Sequence, residues 1–445
     1  MNSNLEFRDG STQRWVRLAD LSLGGTRNGL YKPKEFHGSG AKIVNMGELF
    51  AFPRLANEEM KRIEVTQDEL DRFGLQAGDL LFARRSLVAD GAGKCSIVVH
   101  CDAPTVFESS IIRLRPARER VEPEYLFYLF RSSVGDQLLD RIRKRDAVSG
   151  ITGKDLAALE VPLPAKEVQR NVCDLLSTLD NRIDHNQALA ANLEAIARRL
   201  FKSWFVDFDP VRAKADGEKP SGLADDIAVL FPDRFVESEL GEIPEGWAFN
   251  PLSSIAEFVN GRNFTKDATG TGRMIIRIAE LSNGGPTGST VWNDLPRTAE
   301  QYLANPGNIL FAWSGSLGIH VWDRNTGLVN QHIFKVIPKP PFAAPFVFFA
   351  TEDLVDDFRA IAAGKAVTMG HIKRNDLDTH GVTCPSAPEL ITAFHKIVAP
   401  LWDRVRVARR EALTLGSIRD LLLPRLISGK LRVEDVVSLV EETIA

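Results

Sequence analysis

The chain has 445 residues, 44% hydrophobic and 26% charged, with a formal net charge of −4. That length favours two or three folded domains, and the composition excludes a disordered or collagenous chain. The near-neutral balance gives no general attraction to nucleic acid. There is no run of about 18 apolar residues, and the start "MNSNLEFRDGSTQRWV" has no basic region followed by an apolar one, so a cytoplasmic protein without membrane association is expected. Cys95, Cys101, Cys173 and Cys384 are scattered, without the spacing of a zinc or disulfide framework, and no metal site is expected even where His100 precedes Cys101.

In chain order, residues 1–148 mix short β-branched and aromatic runs such as "KCSIVVH" with Gly, Pro, Asn and Asp turns, which predicts a mostly β globular domain. Residues 149–210 are expected to be helical. After Pro164, apolar or small residues fall at Val168, Val172, Leu175, Leu176, Leu179, Ile183, Ala190, Leu193, Ile196, Leu200 and Trp204, the three-and-four spacing of one helix face. Residues 211–245 read as a linker, because "DPVRAKADGEKPSGLADD" is rich in Pro, Gly and charge. A second β-rich domain is expected at 246–370, with Trp247 pairing loosely with Trp15, and a second helical region at 371–445. Between Ser149 and Glu245 acidic residues outnumber basic ones by about seven.

The second half repeats the first. "GDLLFARRS" from Gly78 returns as "GNILFAWSG" from Gly307, "KIVNMGEL" as "MIIRIAEL", "VFESSIIRLRP" as "LVNQHIFKVIP", and "ITGKDLAALEVPLP" as "IKRNDLDTHGVTCP". The offset falls from 232 at Ile43 and Ile275 to 221 at Ile151 and Ile372, as small loop insertions and deletions would produce. Each copy is therefore a domain-sized unit. The helical face also recurs, at an offset of 222: Leu390, Phe394, Ile397, Val398, Leu401, Val405, Ala412, Leu415, Ile418, Leu422 and Leu426.

A helix of about 40 residues runs about 60 Å. Two such helices with one stripe can pair antiparallel in a coiled-coil-like seam, with Leu175, Leu179, Ile183, Leu193, Trp204, Leu401, Val405, Leu415 and Leu422 as candidate seam and partner-docking residues. Two separate helices, each packed on its own domain, remain the alternative. Asn186 falls on the seam where its counterpart is Ala408, and Pro400 should kink the second helix. The fold class expected is α+β: two mostly β domains, two long antiparallel helices as spacer, and an internal pseudo-twofold repeat.

No self-sufficient active site is legible. "KPPF" at Lys339 to Phe342 has lysine where an adenine methyltransferase needs a carbonyl acceptor. "VADGAGKCS" resembles a phosphate loop but carries Val88 for the first glycine and Cys95 for the hydroxyl. "PDRF" followed by Glu237 and Glu239 lacks the lysine partner of a metal nuclease. Two non-identical heads on helical spacers point to recognition without chemistry.

At this point the chain resembles the specificity subunits of type I restriction-modification systems over nearly its whole length. The resemblance is carried most specifically by "RRLFKSWFVDFDPVRAKADGEKPSGL", "LFPDRFVESELGEIPEGW" and "LLLPRLISGKL", and by the duplicated strands in their order. It implies two target-recognition domains reading a split, asymmetric site on double-stranded DNA. It also implies two methyltransferase subunits and two restriction and translocating subunits as partners, to which S-adenosylmethionine, ATP and magnesium would belong.

The repeated Gly-x-x-Leu-Phe-Ala reads as scaffold, while Arg84, Arg85 and Ser86 become Trp313, Ser314 and Gly315. Arginine suits guanine or phosphate; tryptophan and serine suit stacking and hydrogen bonding. The candidate DNA-binding residues are Arg27, Asn28, Lys32, Arg84, Arg85 and Lys94 in the first head and Arg262, Asn263, Lys266, Trp313, Ser314 and His332 in the second. A protein-only scaffold and a standalone DNA-binding regulator stay open as other readings.

Overall fold

The structure, a computed structural model, describes residues 14–86, 91–144, 149–239, 241–266, 268–295, 300–364, 370–436 and 438. Val88 lies outside the described residues, as do both ends of the first expected domain, 1–13 and 145–148. The chain divides into two compact units, residues 1–182 with 415–445, and residues 183–414.

The first unit contains, in chain order, β1 (Arg14–Arg17), β2 (Ser22–Asn28), β3 (His37–Val44), α1 (Met46–Ala51), β4 (Leu80–Ala83), β5 (Cys95–Val98), β6 (Thr105–Phe107), β7 (Ile111–Pro116), α2 (Pro123–Arg131) and β8 (Glu160–Leu163). Its main sheet runs β2-β7-β4-β5, extended by the two-residue strand Arg54–Leu55. β3 lies parallel to β6, and β1 pairs antiparallel with β8 so that Trp15 faces Pro162. Alternation is lost in β4, where Leu80, Leu81, Phe82 and Ala83 are all buried, as a strand covered on both faces requires. From Tyr125 to Phe130 every residue of α2 is buried, under the sheet and against the start of the long helix α3 (Lys166–Phe205).

In the second unit the chain continues through α4 (Asp209–Ala215), β9 (Trp247–Pro251), β10 (Ala256–Asn260), β11 (Arg273–Ile276), α5 (Ile278–Ser282), β12 (Asn308–Ala312), β13 (Gly318–Trp322), β14 (Gly327–Val329), β15 (Ile333–Pro338), α6 (Ala344–Asp353), β16 (Gly381–Pro385) and into α7 (Glu389–Ile427). The sheet order is β10-β15-β12-β13, that of the first head position by position. β11 lies parallel to β14, and Trp247 of β9 faces Pro385 of β16 as Trp15 faces Pro162. The helices that follow β3 and β11 start alike: Glu48 Oε2 accepts from the Asn45 amide at 2.9 Å and Glu280 Oε2 from the Arg277 amide at 3.1 Å. Gly78 and Gly307 take φ of +93° and +97°, so the repeated turn before β4 and β12 needs glycine. The duplication read in sequence is a duplication of fold.

Both long helices are continuous, with 40 and 39 residues, and α7 is helical straight through Pro400. Their buried faces follow a strict seven-residue period: Gln169, Leu176, Ile183, Ala190, Ala197 and Trp204 on α3, and Ile391, Val398, Val405, Ala412 and Leu426 on α7. Half-buried Arg419 completes the second series, so the two series coincide at the expected offset of 222.

The expected face was turned by one residue in places. Val168 and Ile196 are 41% and 53% exposed, and Gln169 and Ala197 take their places inside. Gln169 is tolerated there because its amide accepts from the Glu122 amide at 3.0 Å and donates to the Pro164 carbonyl at 2.8 Å. Ile418 is exposed too, and Arg419 instead points inward to Asp180 at 2.7 Å, while Tyr128 donates to the second Asp180 oxygen at 2.8 Å.

In the first unit Val172, Cys173 and Leu176 of α3, with half-buried Leu175, meet Leu423, Leu426 and Ile427 of α7 and half-buried Leu422, in one core with the head. In the second unit Ala190 packs on Val405 and Ala408, flanked by Leu193. Asn186 is fully buried and donates to Glu411 at 3.0 Å, and Arg409 pairs with Glu194. Early α3 thus meets late α7 and late α3 meets early α7, which makes the pairing antiparallel.

The two packing alternatives therefore both operate. Trp204 and half-buried Leu401 sit in the core of the second head rather than on a bare seam, and only the middle of each helix is closed by the other helix alone. Ile183, Trp204 and Val405 are consumed inside the chain and present no docking surface, while Leu179 and Leu415 are half-buried.

The expected linker is also more ordered than its composition implies. Val211 of α4 is fully buried, and Phe231 meets Trp204 edge-on at 5.1 Å. Its apolar residues anchor it.

Candidate nucleic-acid interface

Each head gathers its candidates at one end of the main sheet, where β2 and β4 (or β10 and β12) finish and β7 (or β15) begins. The backbone bonds there repeat. In the first head Gly29 donates to Ile111 at 3.1 Å, Leu30 to Phe107 at 3.0 Å, and Ile151 to Arg84 at 3.0 Å. In the second, Gly261 donates to Ile333 at 2.9 Å, Arg262 to Val329 at 3.0 Å, and Ile372 to Trp313 at 3.2 Å. A Cβ at Gly29 would lie 2.2 Å from the Phe107 and Glu108 carbonyls, and one at Gly261 would lie 2.1 Å from that of Asn330. Only glycine allows this approach.

On this shared frame the side chains differ. The first head brings together Arg27 and Asn28 at the end of β2, with Arg84 and Arg85 just after β4. Arg27 and Arg85 are exposed. Arg84 is half-buried, and among the described residues its guanidinium makes only a 3.5 Å approach to the Ser109 carbonyl, which leaves hydrogen-bonding capacity for a ligand. Lys94 joins them, since its carbonyl accepts from Ala83 beside Arg84. Its ammonium stands 5.3 Å from the Phe50 ring centroid, and desolvation, then the Arg131 charge, pulls its pKa below the usual lysine value.

Lys32 does not belong to this group. It bonds Glu69 and the Glu64 carbonyl, each at 2.7 Å, and lies over Phe36. Its charge is spent on scaffold, and Lys32 in turn holds the Glu69 carboxyl below its ordinary pKa. Tyr31, 80% exposed and three residues beyond Asn28, is an aromatic that charge alone does not single out; its signal in the sequence is an aromatic within the Gly- and Pro-flanked loop "NGLYKPK".

The second head brings Trp313 and His332 together, ring centroids 5.6 Å apart, and adds His371 at 6.2 Å from the indole. Trp313 Nε1 donates to Asn260 Oδ1 at 3.0 Å. Asn260, exposed at the end of β10, is the counterpart of Asn28 and is likewise not singled out by charge: Asn-Gly recurs at the 232 offset already seen at Ile43 and Ile275. The expected contact, Asn263, uses Oδ1 to accept from the Thr265 amide and hydroxyl at 3.2 and 2.7 Å, a local turn. Ser314 is buried and bridged through its backbone to His371, so it offers no surface hydroxyl. Arg262 and Lys266 are exposed on the same loop.

A duplicated α+β fold, with two heads of common frame and different surface chemistry joined to paired helices, defines a two-headed recognition protein. The family described as the type I restriction modification DNA specificity domain matches residues 28–195 and 244–398, and the chain belongs to that family. It is 25% identical over 407 residues to the type I restriction enzyme HindI specificity subunit of Haemophilus influenzae, covering 80% of this chain and 87% of that one. It is also 25% identical over 334 residues to the MjaIX specificity subunit of Methanocaldococcus jannaschii, covering 72% and 71%. The crystal structure of the S subunit from M. genitalium shares the fold, with a TM-score of 0.54 at 15% identity over 96% of this chain and 97% of the other.

Proposed function

We propose that the chain is the non-catalytic specificity subunit of a type I restriction-modification complex, each head reading one half of a bipartite, asymmetric DNA site. The observation that carries this is the repeated end of the two sheets. The same backbone bonds present Arg27, Asn28, Arg84 and Arg85 in one head and Asn260, Arg262, Trp313 and His332 in the other. A fixed frame with exchanged side chains is what two different half-sites require.

Two methyltransferase subunits and, for cleavage, two restriction and translocating subunits complete the assembly. S-adenosylmethionine, ATP and magnesium belong to them. The near-neutral charge supports a shared grip on DNA, because phosphate neutralisation usually supplies much of the affinity. Since the seam is used inside the chain, docking falls to outward helix positions such as exposed Val407, Ile418 and Leu421. Among the described residues no helix is long and apolar enough to cross a membrane, and the proposed place of action is the cytoplasm. Selection of random-sequence duplexes by the assembled methyltransferase complex is expected to enrich two defined half-sites around an unspecified gap. Enrichment of no motif would support a protein-only scaffold, and equal selection by the isolated chain a standalone regulator.

The helices are proposed as the ruler of that gap, with half-site centres roughly one DNA turn, about 34 Å, apart. Four residues added near Phe205 to Asp209 insert about one helical turn, about 5.4 Å, if they remain helical. Both half-site sequences should persist while the gap lengthens by one or two base pairs. An active variant with the original gap in its methylated motif would remove the helices from this role.

A further inference from the structure

We infer that Asn260 reads an adenine in the half-site of the second head, with Trp313 as its positioning residue; the inference rests on the proposal that this head binds DNA. An indole N–H can only donate, so the atom it meets at 3.0 Å must be the amide oxygen of Asn260. The amide cannot flip without losing that bond. Its oxygen keeps one lone pair, and no described residue takes its two N–H hydrogens. Asn260 therefore presents an acceptor and a donor side by side at an exposed strand end. Adenine offers the complement in the major groove, the N6 amine to donate and N7 to accept. Guanine offers two acceptors, and thymine one acceptor beside a methyl, so each can satisfy only half of the amide.

The support behind the amide is rigid. The Trp313 ring lies 5.7 Å from Phe334 at 31° and within 5.6 Å of His332. The Gly261 amide donates to Ile333 at 2.9 Å, and the backbone runs so close to the Asn330 carbonyl that a Cβ would lie 2.1 Å from it. In the first head Asn28 has the same place, but Arg84 stands where Trp313 would be and no indole orients the amide. The assignment is therefore confined to the second half-site.

The test uses the full chain assembled with its methyltransferase subunits and duplexes carrying the methylated motif. Each adenine of the second half-site is replaced in turn by 7-deazaadenine, which loses the N7 acceptor but keeps base pairing. One replacement should weaken wild-type binding about tenfold and have no further effect on Asn260→Ala. Trp313→Phe, which keeps a ring but loses the donor, should lose part of the discrimination at that adenine and none elsewhere. Titration at lower salt brings weakened variants into range. A second half-site without adenine on either strand, or equal penalties in wild type and Asn260→Ala at every adenine, would overturn the assignment. Failure of the wild-type complex to prefer its motif over random DNA would instead overturn the functional proposal beneath it.

Discussion

Exchanging the first head for that of a relative with a different motif changes one half of the methylated sequence and leaves the other half intact. The heads have separate cores: Leu80, Phe82, Ile112 and Leu126 belong to one, and Ile309, Phe311, Val336 and Val347 to the other. β1 is paired with β8, so the exchanged segment should run through Leu163 rather than stop at 148 and divide that strand pair. Each mismatched base pair costs about 1–3 kcal/mol, so a half-site of about three pairs loses recognition by a factor of hundreds or more. Sequencing of methylated bases in cells carrying the exchanged chain reads the result. Simultaneous change of both halves would contradict separate heads.

Val405→Asp should be the most damaging single substitution in the helix pair. Val405 is 3% exposed and packed on Ala190 and Ala408, so a carboxylate there would sit desolvated among apolar side chains. An uncompensated buried charge costs about 3–5 kcal/mol, enough to remove most of the stability of an ordinary domain. The chain should lose its cooperative melt and no longer co-purify with methyltransferase subunits. Leu179→Asp, at a half-buried position, should be milder. Arg84→Ala should leave the melt unchanged, because among the described residues that guanidinium makes no contact closer than 3.5 Å. Normal assembly of Val405→Asp would show that the seam does not hold the chain together.

The duplication was legible because it lies in the order of strands and turns. Gly78 and Gly307, or Trp15 and Trp247, keep their roles as backbone constraints whatever the surface reads. The helix face was legible in its period but not in its phase. Apolar type alone favoured Val168 and Ile196, whereas the strict seven-residue repeat puts Gln169 and Ala197 inside, and a buried glutamine is acceptable only once the Glu122 amide and Pro164 carbonyl are in place to satisfy it. The candidate site was least legible. A sequence cannot tell that Lys32 is neutralised by Glu69, 37 positions away, or that Ser314 is covered. Asn260 and Trp313 are 53 residues apart, and only the pairing of β10 and β12 with β15 makes them neighbours. Long-range partners decide which polar side chains remain available.

The most direct measurement of the central claim is base-resolution sequencing of methylated DNA from cells that carry the methyltransferase subunits with and without this chain. The account predicts one bipartite, asymmetric motif with an unspecified gap when the chain is present, and its disappearance when the chain is removed. Methylation of the same motif without the chain, or of a single uninterrupted motif with it, would contradict the reading of two heads on one split site.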